Sequence, residues 1–260
     1  MSRAWPNAST ATANRRPGHA STAPTHPNRA TIRARANDER LLNSRLAFSD
    51  NTNQRTPCVL VLDGSTSMLG PAIDQLNAGL KTLERELKKD PTTALRVQLL
   101  IIRVGGYDKA EVVSDWVDAI DFHAPTIEAN GTTPLGKAMD LALDKVAEQK
   151  ARYDANGISS TRPWIMMISD GAPNDHGWQK IAARCRDAER AKQVAIFPIG
   201  VEHADFEALD LFSNNRPKHL AGLQFNELFV WLSRSMSSVS TAAPGQQVQL
   251  PAADWAVVEV

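Results

Sequence analysis

Cysteine is nearly missing from this sequence: two residues in 260, Cys58 and Cys185, far apart and without Cys-x-x-Cys spacing. That excludes a disulfide framework and a thiolate zinc site, and it leaves both as small apolar core residues in a reducing compartment. Histidine does not substitute, because its six copies are scattered from His19 to His219 without close ligand pairs. Net charge is missing as well. Lys plus Arg and Asp plus Glu number 29 each, so no global field draws the chain to nucleic acid or to a membrane surface. No apolar run approaches the roughly 20 residues needed to span a bilayer, and the N-terminus has no apolar signal core. The expectation is a cytoplasmic protein whose partners are recognised locally.

Acids are absent before Asp38, and Ala, Ser, Thr, Asn, Pro and Arg dominate residues 1–56. Such a segment buries too little surface to offset its ordering entropy, so a mostly mobile tail is expected, with a short helix nucleated around residues 38–42. Three readings stand open for it: an inert start region, a Ser/Thr-rich interaction or modification segment, and an organellar transit peptide.

What is present becomes regular from Cys58. Four short unbroken apolar runs occur: Val59-Leu60-Val61-Leu62, Leu99-Leu100-Ile101-Ile102, Ile165-Met166-Met167-Ile168 and Val194-Ala195-Ile196-Phe197. Runs of that length suit parallel strands covered on both faces. Between them lie helical stripes. Ile73, Leu76, Leu80, Leu83 and Leu87 form one, stopped by Lys88-Lys89-Asp90-Pro91. Others run through Leu135, Met139, Ala142, Leu143 and Val146, through Ile181, Ala182, Cys185 and Ala188, and through Phe225, Leu228, Phe229 and Leu232. Strands alternating with amphipathic helices predict a doubly wound α/β domain with a mostly parallel sheet. A turn at Gly105-Gly106-Tyr107 before Ala110–Val113 predicts one antiparallel edge strand, and Pro198 marks either an edge or a strand end. The chain thus divides into the tail at 1–56, the α/β domain at 57–238 and an extension at 239–260 that can pack back through Trp255.

Function in open α/β sheets collects at the carboxyl ends of the strands. Two runs end there in an aspartate, as Leu62-Asp63 and Ile168-Ser169-Asp170, and the hydroxyls of Ser65 and Ser67 follow the first at alternate positions. A third element, Asn130-Gly131-Thr132-Thr133-Pro134-Leu135-Gly136, presents a hydroxyl just before a helix whose first turn suits proline. Carboxylates and hydroxyls with no soft ligand make an oxygen site for a hard divalent cation. Few protein oxygens with an open position suit magnesium better than calcium.

At these residues the sequence resembles the von Willebrand factor A domain with its metal-ion-dependent adhesion site. The matches are Asp63, Ser65, Ser67, Thr133 and Asp170; Thr133 is preferred to Thr132 because it directly precedes Pro-Leu-Gly. The stretches IDQLNAGL at 73–80, GTTPLG at 131–136, Arg162-Pro163-Trp164, SDGAPN at 169–174 and FVWLSRS at 229–235 further resemble the bacterial tellurium-resistance-associated TerY-like group. Two departures stand out. The usual Asp-Thr-Ser-Gly-Ser appears as Asp63-Gly64-Ser65-Thr66-Ser67, and Arg103-Val104-Gly105-Gly106 replaces an apolar-aromatic strand end, so that Arg103 is expected to line the crevice and either compete with or orient an anionic partner.

The resemblance implies binding, not turnover: magnesium or manganese at the five residues, completed by an Asp or Glu of a partner protein. It also implies an association with a Ser/Thr kinase and a PP2C-type phosphatase in stress, tellurite-resistance or phage-defence signalling. The alternatives are a magnesium-dependent phosphoesterase using Asp63, and a structural domain with a vestigial site. The esterase reading lacks a second acid two residues on, where Ser65 stands, and a histidine or glutamate placed as general base. No Gly-x-Ser-x-Gly elbow surrounds the serines. If the tail is a kinase substrate, incubation with the cognate kinase labels residues 1–56; a tail left without phosphate would remove that reading.

Overall fold

The computed structural model describes residue 48 and residues 50–243, 246–253 and 256–257. The helix expected at 38–42 and the side chain of Trp255 lie outside the described residues.

Each apolar run becomes a strand because neither of its faces can meet water. The strands are β1 (Thr56–Gly64), β2 (Val97–Gly105), β3 (Lys109–Asp118), β4 (Trp164–Ser169), β5 (Ala195–Val201), β6 (Lys218–Leu220) and β7 (Ala256–Val257). They form one sheet in the order β3-β2-β1-β4-β5-β6-β7. β1 is buried along all nine residues and pairs in parallel with β2 on one side and β4 on the other. The chain therefore winds outward in both directions from β1, which opens a crevice at its carboxyl end.

The faces divide by residue parity. Cys58, Leu60 and Leu62 pack with Leu76, Leu80 and Leu83 of α1 (Pro71–Leu87) and with Phe225, Leu228 and Phe229. The last three belong to the closing helix, Phe225–Thr241. Val59 and Val61 face the other way, onto α3 (Leu135–Ala155) and α4 (Trp178–Arg190), meeting Leu135, Met139, Ala182 and Cys185. Both cysteines are free and buried, as their apolar neighbours in the sequence imply.

The expected antiparallel edge is β3, longer than the Ala110–Val113 segment that announces it. A second antiparallel pair joins β6 to β7 at the far edge, where the C-terminal extension returns. That return is fastened by the Trp231 indole N–H, which donates to the Pro251 carbonyl at 2.9 Å, and Leu250 and Ala253 pack on the core. Pro198 lies inside β5 opposite Met167, but β6 pairs only with Ile199–Val201, so one side of β5 has no ladder there to interrupt. At Asp90-Pro91 the stop of α1 is also a start: the Asp90 carboxylate accepts the Thr93 N–H at 2.9 Å and caps α2 (Pro91–Arg96). A short α5 (Phe206–Asp210), capped in the same way by Asp205, leads towards β6, and the closing helix is α6.

At the amino end of the sheet, residues just before β1 are tied down by Arg55, which is fully buried. Its guanidinium donates to the Asn53 and Asn51 carbonyls at 2.6 and 2.8 Å and pairs with Asp118 at 3.3 Å. Gln98 donates to the other Asp118 oxygen at 2.7 Å.

Gly79 sits where α1 crosses α6. A β-carbon there would stand 2.6 Å from a ring atom of Phe229 and 3.0 Å from Phe225. Overpacking of that kind costs about 1–3 kcal/mol. Gly79→Val is expected to lower the melting temperature accordingly, and an unchanged melt would show that the two helices have room to separate.

Candidate metal centre

β1 and β4 deliver their acids to one point. Asp63 is fully buried and Asp170 nearly so. One Asp63 oxygen accepts the Ser65 backbone N–H at 2.8 Å; the other accepts the Ser169 hydroxyl. The Ser65 and Ser67 hydroxyls lie 2.9 Å apart, and Ser67 donates to Asp170 Oδ1 at 2.8 Å. Four of the five residues expected from the sequence thus form one hydrogen-bonded cluster. Thr133 stands near it at the start of α3, without a hydrogen bond to it: its hydroxyl is 3.7 Å from the position a β-carbon would take on Gly171, next to Asp170. The Thr132 hydroxyl is committed elsewhere, accepting the Asp108 N–H at 3.2 Å.

Three loops are interlocked to hold this cluster, and the unusual order of Gly64 and Thr66 is what allows it. A β-carbon on Gly64 would fall 2.7 Å from the Glu128 carbonyl, and the Gly64 carbonyl accepts the Asn130 N–H at 2.8 Å. Thr66 then donates twice to the Gly131 carbonyl, from its backbone N–H at 3.1 Å and its hydroxyl at 3.0 Å. Gly131, at φ 77°, lies against Gly106 so closely that a β-carbon would be 1.6 Å from the Gly106 carbonyl oxygen. Only glycine fits such an approach with such a φ. Glycine at 64 admits the Thr133 loop; threonine at 66 fastens it.

Arg103 belongs to the same bracing. Its Nε donates to the Glu128 carbonyl at 2.8 Å and its Nη2 to the Asn130 side chain at 2.6 Å. Two of its donors are spent on the loop, and its Nη1 lies 3.9 Å from the Glu111 carboxylate.

Burial pushes the Asp63 carboxyl above the ordinary carboxylate range, against the opposing pull of the Ser169 and Ser65 hydrogen bonds. Burial likewise raises Asp170, with the Ser67 bond pulling down and the negative charge of Asp63 pushing further up. The groups acting on both acids are hydroxyls, backbone amides and other acids; no basic side chain is among them. Two adjacent buried carboxylates without a counter-charge, lined by hydroxyls, have the donor chemistry of a hard cation site. Among the described residues no three His, Cys, Asp or Glu side chains converge as an alternative metal cluster.

The sequence pattern of the von Willebrand factor type A domain matches residues 58–224. The chain belongs to that family. No curated protein matches it. Among solved structures, this VWA domain is similar to the mussel byssus proximal thread matrix protein 1, at 12% identity and a TM-score of 0.52 over 72% of this chain and 49% of that one. It is also similar to the pilus adhesin SpaC from Lactobacillus rhamnosus GG, at 11% identity and 0.55 over 72% and 32%. A further structure of the mussel protein has a zinc-occupied adhesion-site motif, at 12% identity and 0.50. At these identities the likeness concerns the fold, and the chain spans half the length of these proteins or less.

Two residues of this VWA domain escaped the sequence reading of the site. The Asn174 side-chain oxygen accepts the Thr133 N–H at 3.1 Å while the Asn174 backbone N–H donates to the Thr133 carbonyl at 3.1 Å. Asp175, buried, accepts the N–H groups of Gly136 and Lys137 at 3.1 and 2.8 Å. It caps α3, whose own N-cap residue, Pro134, has no side chain able to do so. The cap comes from about forty residues away, so no local pattern announces it. Asp175→Ala is expected to cost about 1–2 kcal/mol in a denaturant melt; no loss would mean that α3 starts equally well uncapped.

Proposed function

We propose that Asp63, Ser65, Ser67, Thr133 and Asp170 hold a divalent cation, magnesium or manganese, and that a carboxylate of a partner protein completes its coordination. The observation that carries this reading is the pair of buried acids on which, among the described residues, no basic side chain acts. A cation supplies the missing charge: the two carboxylates balance a divalent ion, and with three neutral hydroxyls they fill five positions of an octahedral ion and leave one open for a further oxygen ligand. The zinc in the mussel protein supports a divalent ion at this place in the fold; the all-oxygen donor set here favours a harder one.

VWA domains are in general adhesion and interaction modules, and we assign this one, over about residues 57–238, to binding and not to turnover. A nucleophilic Asp63 would have to reach a phosphorus atom, yet it is fully buried. The TerY-like stretches extend the proposal to a cytoplasmic role beside a Ser/Thr kinase and a PP2C-type phosphatase in bacterial stress, tellurite-resistance or phage-defence signalling. Among the described residues no helix is long and apolar enough to cross a membrane.

Metal that binds only the folded domain stabilises it by about 2.7 kcal/mol at a hundredfold excess over Kd. Magnesium or manganese is therefore expected to raise the melting temperature, and Asp170→Ala to abolish the rise. Asp63→Asn removes a buried charge while keeping an acceptor for the Ser65 N–H. It should melt higher than the wild type without metal and gain nothing from metal. The pH dependence has a definite sign. An acid whose folded pKa is raised binds its proton more tightly when folded, so without metal these two favour folding below the raised range and lose that contribution as pH rises through it. The metal-induced shift should consequently fade as pH falls through that raised range, above where an ordinary carboxylate would lose its metal. A metal-induced shift that is absent, or equal in Asp63→Asn, would sink the proposal.

A further inference from the structure

Thr133 differs from the other four residues of the candidate centre in what holds it. Ser65 and Ser67 are tied together through their own hydroxyls, and Asp63 and Asp170 accept bonds directly from the serine loop. The Thr133 hydroxyl makes no such bond, so its place depends on the Thr133 backbone. Up to Thr132 that loop is fastened to the β1 turn and to the β2–β3 hairpin. The Gly131 carbonyl accepts twice from Thr66, and the Thr132 N–H donates to the Gly106 carbonyl at 3.0 Å. At Thr133 the attachment changes side. Its N–H donates to the Asn174 side chain and its carbonyl accepts the Asn174 backbone N–H, both at 3.1 Å. Because the first donor is a backbone N–H, the accepting atom of the amide must be its oxygen. Asn174 follows Asp170 by four positions, and the ring of Pro173 fixes φ in the link between them. Thr133 is buried, so its N–H has little water to turn to if that oxygen is removed.

We propose that Asn174 is a positioning residue of the metal centre. By clamping the Thr133 backbone to the Asp170 loop, it sets where the Thr133 hydroxyl stands relative to Asp170 and so how firmly a cation is held between them. This rests on the metal reading above. Asn174 is itself exposed, and its side-chain oxygen is spent on Thr133, so it acts through that residue and not as a ligand. A neutral hydroxyl adds little to a cation's binding unless it is already in place, because ordering it on binding costs free energy. Magnesium is demanding in this respect, since it requires near-ideal octahedral geometry. Removing a group that orients a metal ligand typically weakens metal binding by about 10–100-fold.

The test titrates magnesium into the metal-free full chain by calorimetry, for the wild type, Asn174→Ala, Asn174→Asp, Thr133→Ala and the Asn174→Ala/Thr133→Ala double variant. All keep the backbone N–H of residue 174 that holds the Thr133 carbonyl, and a metal-free melt of each confirms that it is folded. Asn174→Ala is expected to bind magnesium at least roughly tenfold more weakly than the wild type. Asn174→Asp retains an accepting oxygen and should bind no more weakly than the wild type. Thr133→Ala should lose at least as much as Asn174→Ala, and the double variant should be no weaker than Thr133→Ala alone, because one residue acts through the other. Equal magnesium affinity in the wild type and Asn174→Ala, a loss that Asn174→Asp shares, or losses that add in the double variant would overturn this inference and leave the metal site standing. A wild type that binds no magnesium would overturn the metal reading and this inference together.

Discussion

The parallel register of β1 and β4 decides where the two acids meet. Leu62 stands opposite Ile168, so the residues that follow, Asp63 and then Ser169-Asp170, emerge side by side at the carboxyl end. A slip of one residue would turn Leu60 and Leu62 away from α1 and α6 and bury the wrong face. The apolar packing that specifies the fold therefore also specifies the spacing of the carboxylates. Everything else in the site is attached to that pair: Ser65 and Ser67 through the turn after Asp63, and Thr133 through the interlocked glycines.

How much of this could be read from sequence depended on the range over which each feature is encoded. The four central strands and the stripes of α1, α3, α4 and α6 are local patterns, repeated every two or every three to four residues, and they were legible. So were Asp63, Ser65 and Ser67, which occupy one turn. Arg55 and Asp118 were not, since a polar run before β1 gives no sign that its arginine is fully buried against an acid 63 residues away. Asp175 and Arg103 were obscure for the same reason: each is defined by the backbone groups of a distant loop. β6 and β7, with three and two residues, are too short to carry a period. The exchange of Gly64 and Thr66 was visible as a departure, but its cause needed the position of the 127–131 loop.

Wholly or partly buried acids elsewhere in the molecule show what is particular about this end of the sheet. Asp118, half-buried, is answered by Arg55 and Gln98. Glu189 is buried without a cation but surrounded by donors: the Ile196 and Asn214 N–H groups at 2.8 and 2.6 Å, the Ser213 hydroxyl at 2.9 Å and the side-chain amides of Asn214 and Asn215. A carboxylate offers about four lone-pair sites, and Glu189 has them filled. The fold thus has two ways of accommodating a buried negative charge, an opposite charge or a full set of donors, and uses each where the purpose is structural.

Asp63 and Asp170 receive no opposite charge among the described residues. Beside the Ser65 backbone N–H, their side-chain partners are hydroxyls, which can rotate and turn an oxygen lone pair towards a cation as readily as they donate a proton. An arginine in this crevice would have neutralised the acids, and side-chain amides like those of Asn214 and Asn215 on Glu189 would have added donors that cannot turn into ligands; either would have closed the site to a cation. Leaving the acids next to each other costs stability in the absence of a cation. The β1–β4 ladder keeps that cost from being relieved by the acids moving apart, because Leu62 and Ile168 are paired directly before them. The same ladder is fixed by the apolar packing on both faces of β1, so the uncompensated charge and the fold that carries it follow from one constraint on the backbone.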